Sequence, residues 1–82
     1  MYYVYVLQSL KDKKLYIGYT NNLKRRVTEH NAGRVEVTQK RCPLRLLYYE
    51  ACIQKEDALK RELQLKTGFG REYLKRRLSE LH

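Results

Sequence analysis

The chain has 82 residues, and its 18 Lys and Arg against 9 Asp and Glu give a formal net charge of +9 at pH 7. A chain of this size buries roughly 60–65% of the surface its unfolded form exposes, enough for one thin core and too little for a two-domain enzyme. No window holds the roughly 18 apolar residues of a membrane span, and no basic segment precedes the first apolar run as in a secretory signal. The expected location is the cytoplasm, with no membrane partner.

Tyr2-Tyr3-Val4-Tyr5-Val6-Leu7 is β-branched and aromatic, and Leu15-Tyr16-Ile17-Gly18-Tyr19 repeats that character after the polar stretch Ser9 to Lys14. The two read as a β-hairpin whose long connection leaves the register open. Thr20, Asn21 and Asn22 can each accept from the first free amides of a helix, which predicts a helix over Asn22 to Asn31, closed by Ala32-Gly33. Arg34 to Pro43 is a basic loop, Leu44 to Ala51 a third strand, and Lys55 to Lys66 a second helix. Thr67-Gly68-Phe69-Gly70 interrupts that helix, and Arg71 to Leu81 forms a third, with Leu74, Leu78 and Leu81 on one stripe. The expectation is a single α+β domain over residues 1–82, a three-stranded mixed or antiparallel sheet flanked by about three helices. Cys42 and Cys52 flank the third strand, which would hold them about 33 Å apart if extended. That predicts two free thiols and a poor zinc site.

The positive excess attracts polyanions, and nucleic acid is the commonest of these in a cytosol; solubility alone and an anionic membrane surface are the alternatives. Basic residues cluster at Lys24–Arg26, Lys60–Arg61 and Lys75–Arg77, while acidic ones are spread singly. In the first helix Arg26 and His30 border the apolar stripe of Leu23 and Val27, where a cation costs desolvation unless it meets a partner. In the second helix Glu62 falls inside the arc of Ala58, Leu59, Leu63 and Leu65. A carboxylate there needs a cation, a hydrogen-bond network or a metal ion, and Lys66, one turn on, offers a simple ion pair. Eight tyrosines against one phenylalanine supply core area with a hydroxyl attached. Tyr3 and Tyr5 share one strand face, and together with Tyr16, Arg26, His30 and Glu62 they outline a polar cavity on a basic protein.

These residues resemble the GIY-YIG nuclease superfamily. Tyr3-Val4-Tyr5 and Tyr16-Ile17-Gly18, with Tyr16 eleven positions after Tyr5, are similar to its two strand motifs. Arg26 follows Tyr16 by ten residues and His30 follows Arg26 by four, and Glu62 opens a Glu-Leu-Gln-Leu-Lys stretch like the superfamily's metal-binding helix. The chain looks most like the small stand-alone bacterial members, and in outline like the amino-terminal nuclease domain of the UvrC repair endonuclease. Tyr3 stands where the first motif has Gly.

The resemblance implies a metal-dependent endonuclease acting on nucleic acid, DNA above all, of repair or recombination type. It implies a single Mg²⁺ or Mn²⁺ on Glu62, Arg26 on the phosphate oxygens, Tyr16 as general base, and Tyr5 or His30 orienting the water. A phenol that ordinarily titrates near 10 needs a positive neighbour for such work, which Arg26 or His30 would provide. Arg34, Thr38, Lys40 and Arg41 of the loop, Lys66, and Arg71, Lys75, Arg76 and Arg77 of the third helix would hold backbone phosphates outside the site. Two alternatives stand beside this: a nucleic-acid-binding module that keeps the nuclease fold with negligible activity alone, serving a protein partner that supplies target choice, and a basic interaction protein whose Glu62 merely pairs with Lys66 or Arg26.

Overall fold

In the computed structural model, which describes residues 1–81, the chain forms β1 (Tyr2–Ser9), β2 (Leu15–Thr20), α1 (Leu23–Asn31), β3 (Leu44–Cys52), α2 (Lys55–Leu65), α3 (Gly68–Arg77) and a 3₁₀ turn (Ser79–Leu81). The sheet has the order β2-β1-β3 and both pairings are antiparallel, which decides between the two sheet types that the sequence left open. As the central strand, β1 is buried on both faces, and this is why its sequence is a continuous apolar run rather than an alternation. Val4 and Val6 pack with Ala58, Leu65 and Leu74 of α2 and α3, while Tyr5 and Leu7 pack on the other face with Leu44 and with Leu23 and Val27 of α1. The molecule is thus three-layered, α1 on one side of the sheet and α2 with α3 on the other.

The β1–β2 connection is tied by side chains. Ser9 Oγ accepts from the amides of Lys11 (3.1 Å) and Asp12 (3.2 Å) and donates to the Arg41 carbonyl (2.6 Å), and Asp12 Oδ1 accepts from the Lys14 amide (2.9 Å). The chain reverses through Lys13, whose φ of 64° lies in the left-handed region that a side chain rarely adopts. Asn22 caps α1 by accepting from the Arg25 amide at 3.1 Å, so the helix proper starts one residue after the predicted Asn22. At its far end Asn31 clamps the start of β3, accepting from Leu44 N (2.7 Å) and donating to Leu44 O (2.8 Å).

The third helix departs from its predicted bounds. Thr67-Gly68-Phe69-Gly70 is not an interruption before it but its cap and first turn: the Thr67 side chain accepts from the Gly70 amide, and the helix begins at Gly68 instead of Arg71. A Cβ at Gly70 would run into the backbone of Leu65, so the glycine is what lets α3 start against the end of α2. The helix stops at Arg77, where Leu78 turns extended, and Leu81 reaches the core from the 3₁₀ turn. Both cysteines are free. Among the described residues no helix is long and apolar enough to cross a membrane.

Candidate active site and basic groove

Tyr5 projects from β1 onto the α1 face, directly opposite Gly18 of β2. A Cβ at Gly18 would collide with the Tyr5 ring and hydroxyl, so the glycine of the second strand motif is the space into which the first motif's tyrosine folds. Tyr16 stands beside it on β2, with ring centroids 6.3 Å apart. His30, fully buried on α1, completes the cluster at 5.0 Å from the Tyr16 ring and 5.7 Å from the Tyr5 ring. Its Nε2 lies 2.9 Å from the Tyr5 hydroxyl and its Nδ1 lies 2.7 Å from Thr38 Oγ1. Arg26, one turn earlier, stands at the edge with its guanidinium beside the Tyr5 hydroxyl and Nη1 3.1 Å from Glu29, its side chain 37% exposed.

The same packing sets the charges. Burial pushes the Tyr5 phenol up to about 12 even though Arg26 pulls it down. Burial, then the Arg26 cation, drive the His30 imidazole from its ordinary 6.5 down to about 4. Of the two cations expected beside the tyrosines, His30 is therefore neutral near pH 7, because a buried imidazolium would lose its hydration beside a fixed positive charge. Arg26, whose charged form Glu29 and Tyr5 favour further, is the permanent one.

Glu62 lies on α2, on the other side of the sheet, and its charge still reaches Tyr5. The apolar arc expected around it is narrower than the sequence suggests. Ala58 and Leu65 are buried, but Leu63 is 67% exposed and Leu59 is also at the surface, because only the line touching the sheet and α3 is covered. Glu62 sits at the margin of that line, its side chain 19% exposed, and accepts from Lys66 Nζ at 3.0 Å. Among the described residues no group of three His, Cys, Asp or Glu gathers into a metal cage. One accessible carboxylate nevertheless suits a hard cation that keeps several waters and takes the rest of its ligands from a substrate phosphate.

Beside Tyr16 the surface opens into a groove of about 470 Å³ lined by Lys13, Lys14, Lys66 and Arg71, with Leu65 and Leu74 among its apolar walls. A smaller hollow of about 200 Å³ adds Lys75 beside Arg71. Two of the predicted phosphate contacts, Lys66 and Arg71, thus meet beside Tyr16, and a third, Lys75, lines the hollow that shares Leu15 and Arg71 with that groove. Lys13 and Lys14 join them from the hairpin turn, a pair that the basic run just before β2 could have indicated. Arg76 and Lys40 are exposed but line neither hollow. Arg41 is engaged by the hairpin, pairing with Asp12 at 3.3 Å and donating to the Leu15 carbonyl at 3.5 Å. Thr38 is corrected outright: its side chain has no exposed surface, so its hydroxyl serves His30 and not a phosphate. A larger cleft of about 630 Å³ between α1 and β3, lined by Tyr3, Leu23, Val27, Leu46 and Tyr49 among others, holds none of the cluster's groups.

A tyrosine pair is thus mounted on a three-stranded sheet, backed by a helix, and one of its members opens on a cationic groove. The description "GIY-YIG catalytic domain" matches residues 1–79, and the chain belongs to that nuclease family. It is 40% identical over 75 residues to a UPF0213 protein of Staphylococcus haemolyticus, a match covering 90% of each chain. A UPF0213 protein of Streptococcus pyogenes serotype M3 is 48% identical over 65 residues, 78% of this chain and 70% of the relative. The fold is similar to the solution structure of a UPF0213 protein from Bacillus halodurans, with a TM-score of 0.55, 36% identity, and coverage of 90% of this chain and 82% of that one.

Proposed function

We propose that the chain is an endonuclease that hydrolyses phosphodiester bonds in nucleic acid, DNA in particular, with one Mg²⁺ or Mn²⁺ held by Glu62. The observation that carries this reading is the position of Tyr16, which belongs both to the buried Tyr5–His30 cluster and to the wall of the groove formed by Lys13, Lys14, Lys66 and Arg71. One residue thereby joins proton-handling groups to the surface that attracts phosphates. Divalent metal dependence is general among GIY-YIG nucleases, and a cation at Glu62 would neutralise charge developing on the phosphate.

The chain's own residues divide the remaining work. Arg26, a donor that never loses its proton, stabilises the phosphate oxygens as charge builds on them. Tyr16, open to the groove and so able to give its own proton to solvent, is the group that as a phenolate takes the proton of the attacking water. Tyr5 keeps its own proton at neutral pH and so orients through hydrogen bonds. The groove lysines and Arg71 hold flanking phosphates, which fixes position along a strand without reading its sequence. Repair or recombination work, with a protein partner that supplies the target, belongs to this reading.

The deciding experiment is cleavage of labelled single-stranded, duplex and branched DNA with Mg²⁺ or Mn²⁺ by the wild type and by Glu62→Ala purified identically. Metal-dependent cutting that disappears in the variant is the expected result. Equal cutting by both proteins would remove Glu62 from the mechanism, and salt-sensitive binding with no cutting by either would make the protein a binding module.

A further inference from the structure

We infer that Thr38 is a positioning residue: its hydroxyl holds His30 in the tautomer protonated at Nδ1, so that Nε2 accepts a hydrogen bond from the Tyr5 hydroxyl and Tyr5 offers only acceptor capacity to Arg26 and the reacting water. The inference rests on the nuclease reading for its consequence, but its geometry stands on the contacts alone.

A count of donors fixes the direction of the chain. Tyr5 is 1% exposed, so its single hydroxyl proton needs a protein acceptor. The Arg26 guanidinium near it can only donate and so offers that proton no acceptor. The remaining neighbour, His30 Nε2 at 2.9 Å, accepts the hydrogen bond only if it is bare. In a neutral ring the hydrogen is then on Nδ1, aimed at Thr38 Oγ1 at 2.7 Å. Thr38 has room for it, because its own hydroxyl proton turns to the Val35 carbonyl at 3.5 Å. The opposite tautomer would present Tyr5 with two donors, Arg26 and Nε2–H, and leave its buried proton answered by neither. Among the described residues no buried side-chain nitrogen or oxygen lacks a partner, and the Nδ1–H arrangement keeps it so.

The loop is built to hold the hydroxyl still. Thr38 is fully buried, its amide donates to Val35 O at 3.1 Å and its carbonyl accepts from the Arg41 amide at 2.9 Å. Cys42 Sγ reaches the backbone carbonyl of His30 at 3.1 Å, which ties the end of the same loop to α1. The groups around the ring are Tyr5 from β1, Tyr16 from β2, and Arg26 and Glu29 from α1. None of them takes the Nδ1 hydrogen, and Thr38 does.

The test is the nitrogen spectrum of His30 in the full chain, uniformly ¹⁵N-labelled and carrying His82→Gln so that one histidine remains. At pH 7 the wild-type ring should show a protonated nitrogen at Nδ1 and a bare one at Nε2; the reverse assignment would overturn the proposal. Thr38→Ser should keep both this signature and cleavage. Thr38→Val, which keeps the shape and removes the hydroxyl, should shift the tautomer and lower kcat about 10–100-fold with KM nearly unchanged. Retention of the Nδ1–H signature in Thr38→Val would overturn it as well. If Thr38→Val does not fold, the wild-type signature and loss or retention of it in Thr38→Ser still decide. If even the wild type cuts nothing, the nuclease reading fails while the tautomer is still read directly.

Discussion

An imidazole enclosed by two tyrosine rings and faced by an arginine has no water to solvate its cation, and this makes His30 a source of pH-dependent stability as well as a site group. Its folded value of about 4 lies below the ordinary 6.5, so between these the unfolded chain binds more protons than the folded one. Stability is then fully present above about 6.5 and is lost as pH falls toward 4, on the order of 3 kcal/mol in all. Urea denaturation from pH 7 to pH 4 should show that loss, and His30→Gln should flatten it; an unchanged slope in the variant would mean that carboxylates carry the whole effect. Gly18 makes a second case at this scale. Its backbone φ is not left-handed, so Gly18→Ala meets no backbone penalty, but the new methyl meets the Tyr5 ring and hydroxyl. Crowding of this kind costs about 1–3 kcal/mol, which a thermal melt would detect, and the displaced Tyr5 should weaken cleavage in parallel.

Among the elements, α2 carries Glu62 yet owes its placement to the residue before it. Arg61 pairs with Glu50 of β3 through Nε at 2.9 Å and Nη2 at 3.0 Å, lies 4.5 Å over the Tyr73 ring of α3, and donates to Gln64 at 2.9 Å. Tyr48 donates to Glu50 at 2.6 Å and meets the Tyr73 hydroxyl at 3.1 Å. Burial opposes the Glu50 charge, but Arg61 and Tyr48 outweigh it and hold the carboxyl below its ordinary range. Burial and then Glu50 push the Tyr48 phenol far up, which keeps it a donor. Arg61→Ala should therefore destabilise the fold by about 2–3 kcal/mol by stranding a half-buried carboxylate, more than loss of an exposed pair would. Amide shifts along α2 should move with it, and a double-mutant cycle with Glu50→Gln would measure the coupling. None of this lock was legible in the sequence, because Glu50, Arg61 and Tyr73 come from three elements whose packing no local period encodes. The strands and the Tyr5, Tyr16, Arg26 and His30 cluster were legible, since strand composition and the helical stripe act locally and the motif spacing fixes the rest. The start of α3 was not. Gly68 and Gly70 read as helix breakers, and only the close approach of α3 to the Leu65 backbone explains a glycine inside a first turn.

For the whole molecule, a net charge of +9 sounds like uniform attraction, but the body measures 29 × 29 × 17 Å. At 0.15 M salt the screening length is about 8 Å, so cations on the far side contribute little to a phosphate bound on the near side. Affinity should then depend on which face the nucleic acid occupies, and the groove of Lys13, Lys14, Lys66 and Arg71 gathers four basic residues beside Tyr16. Contact with about four phosphates corresponds to a slope of log K against log salt near −3.6 on duplex DNA. Lys13→Gln, Lys14→Gln and Arg71→Gln should each reduce the slope by about 1. Arg25→Gln removes the same unit of net charge from an exposed position on α1 that already faces Glu29, and it should leave the slope nearly unchanged. If net charge alone governed binding, all four substitutions would weaken it equally. A slope lowered by Arg25→Gln and untouched by Arg71→Gln would put the nucleic acid on the α1 face instead, away from the groove that Tyr16 opens into.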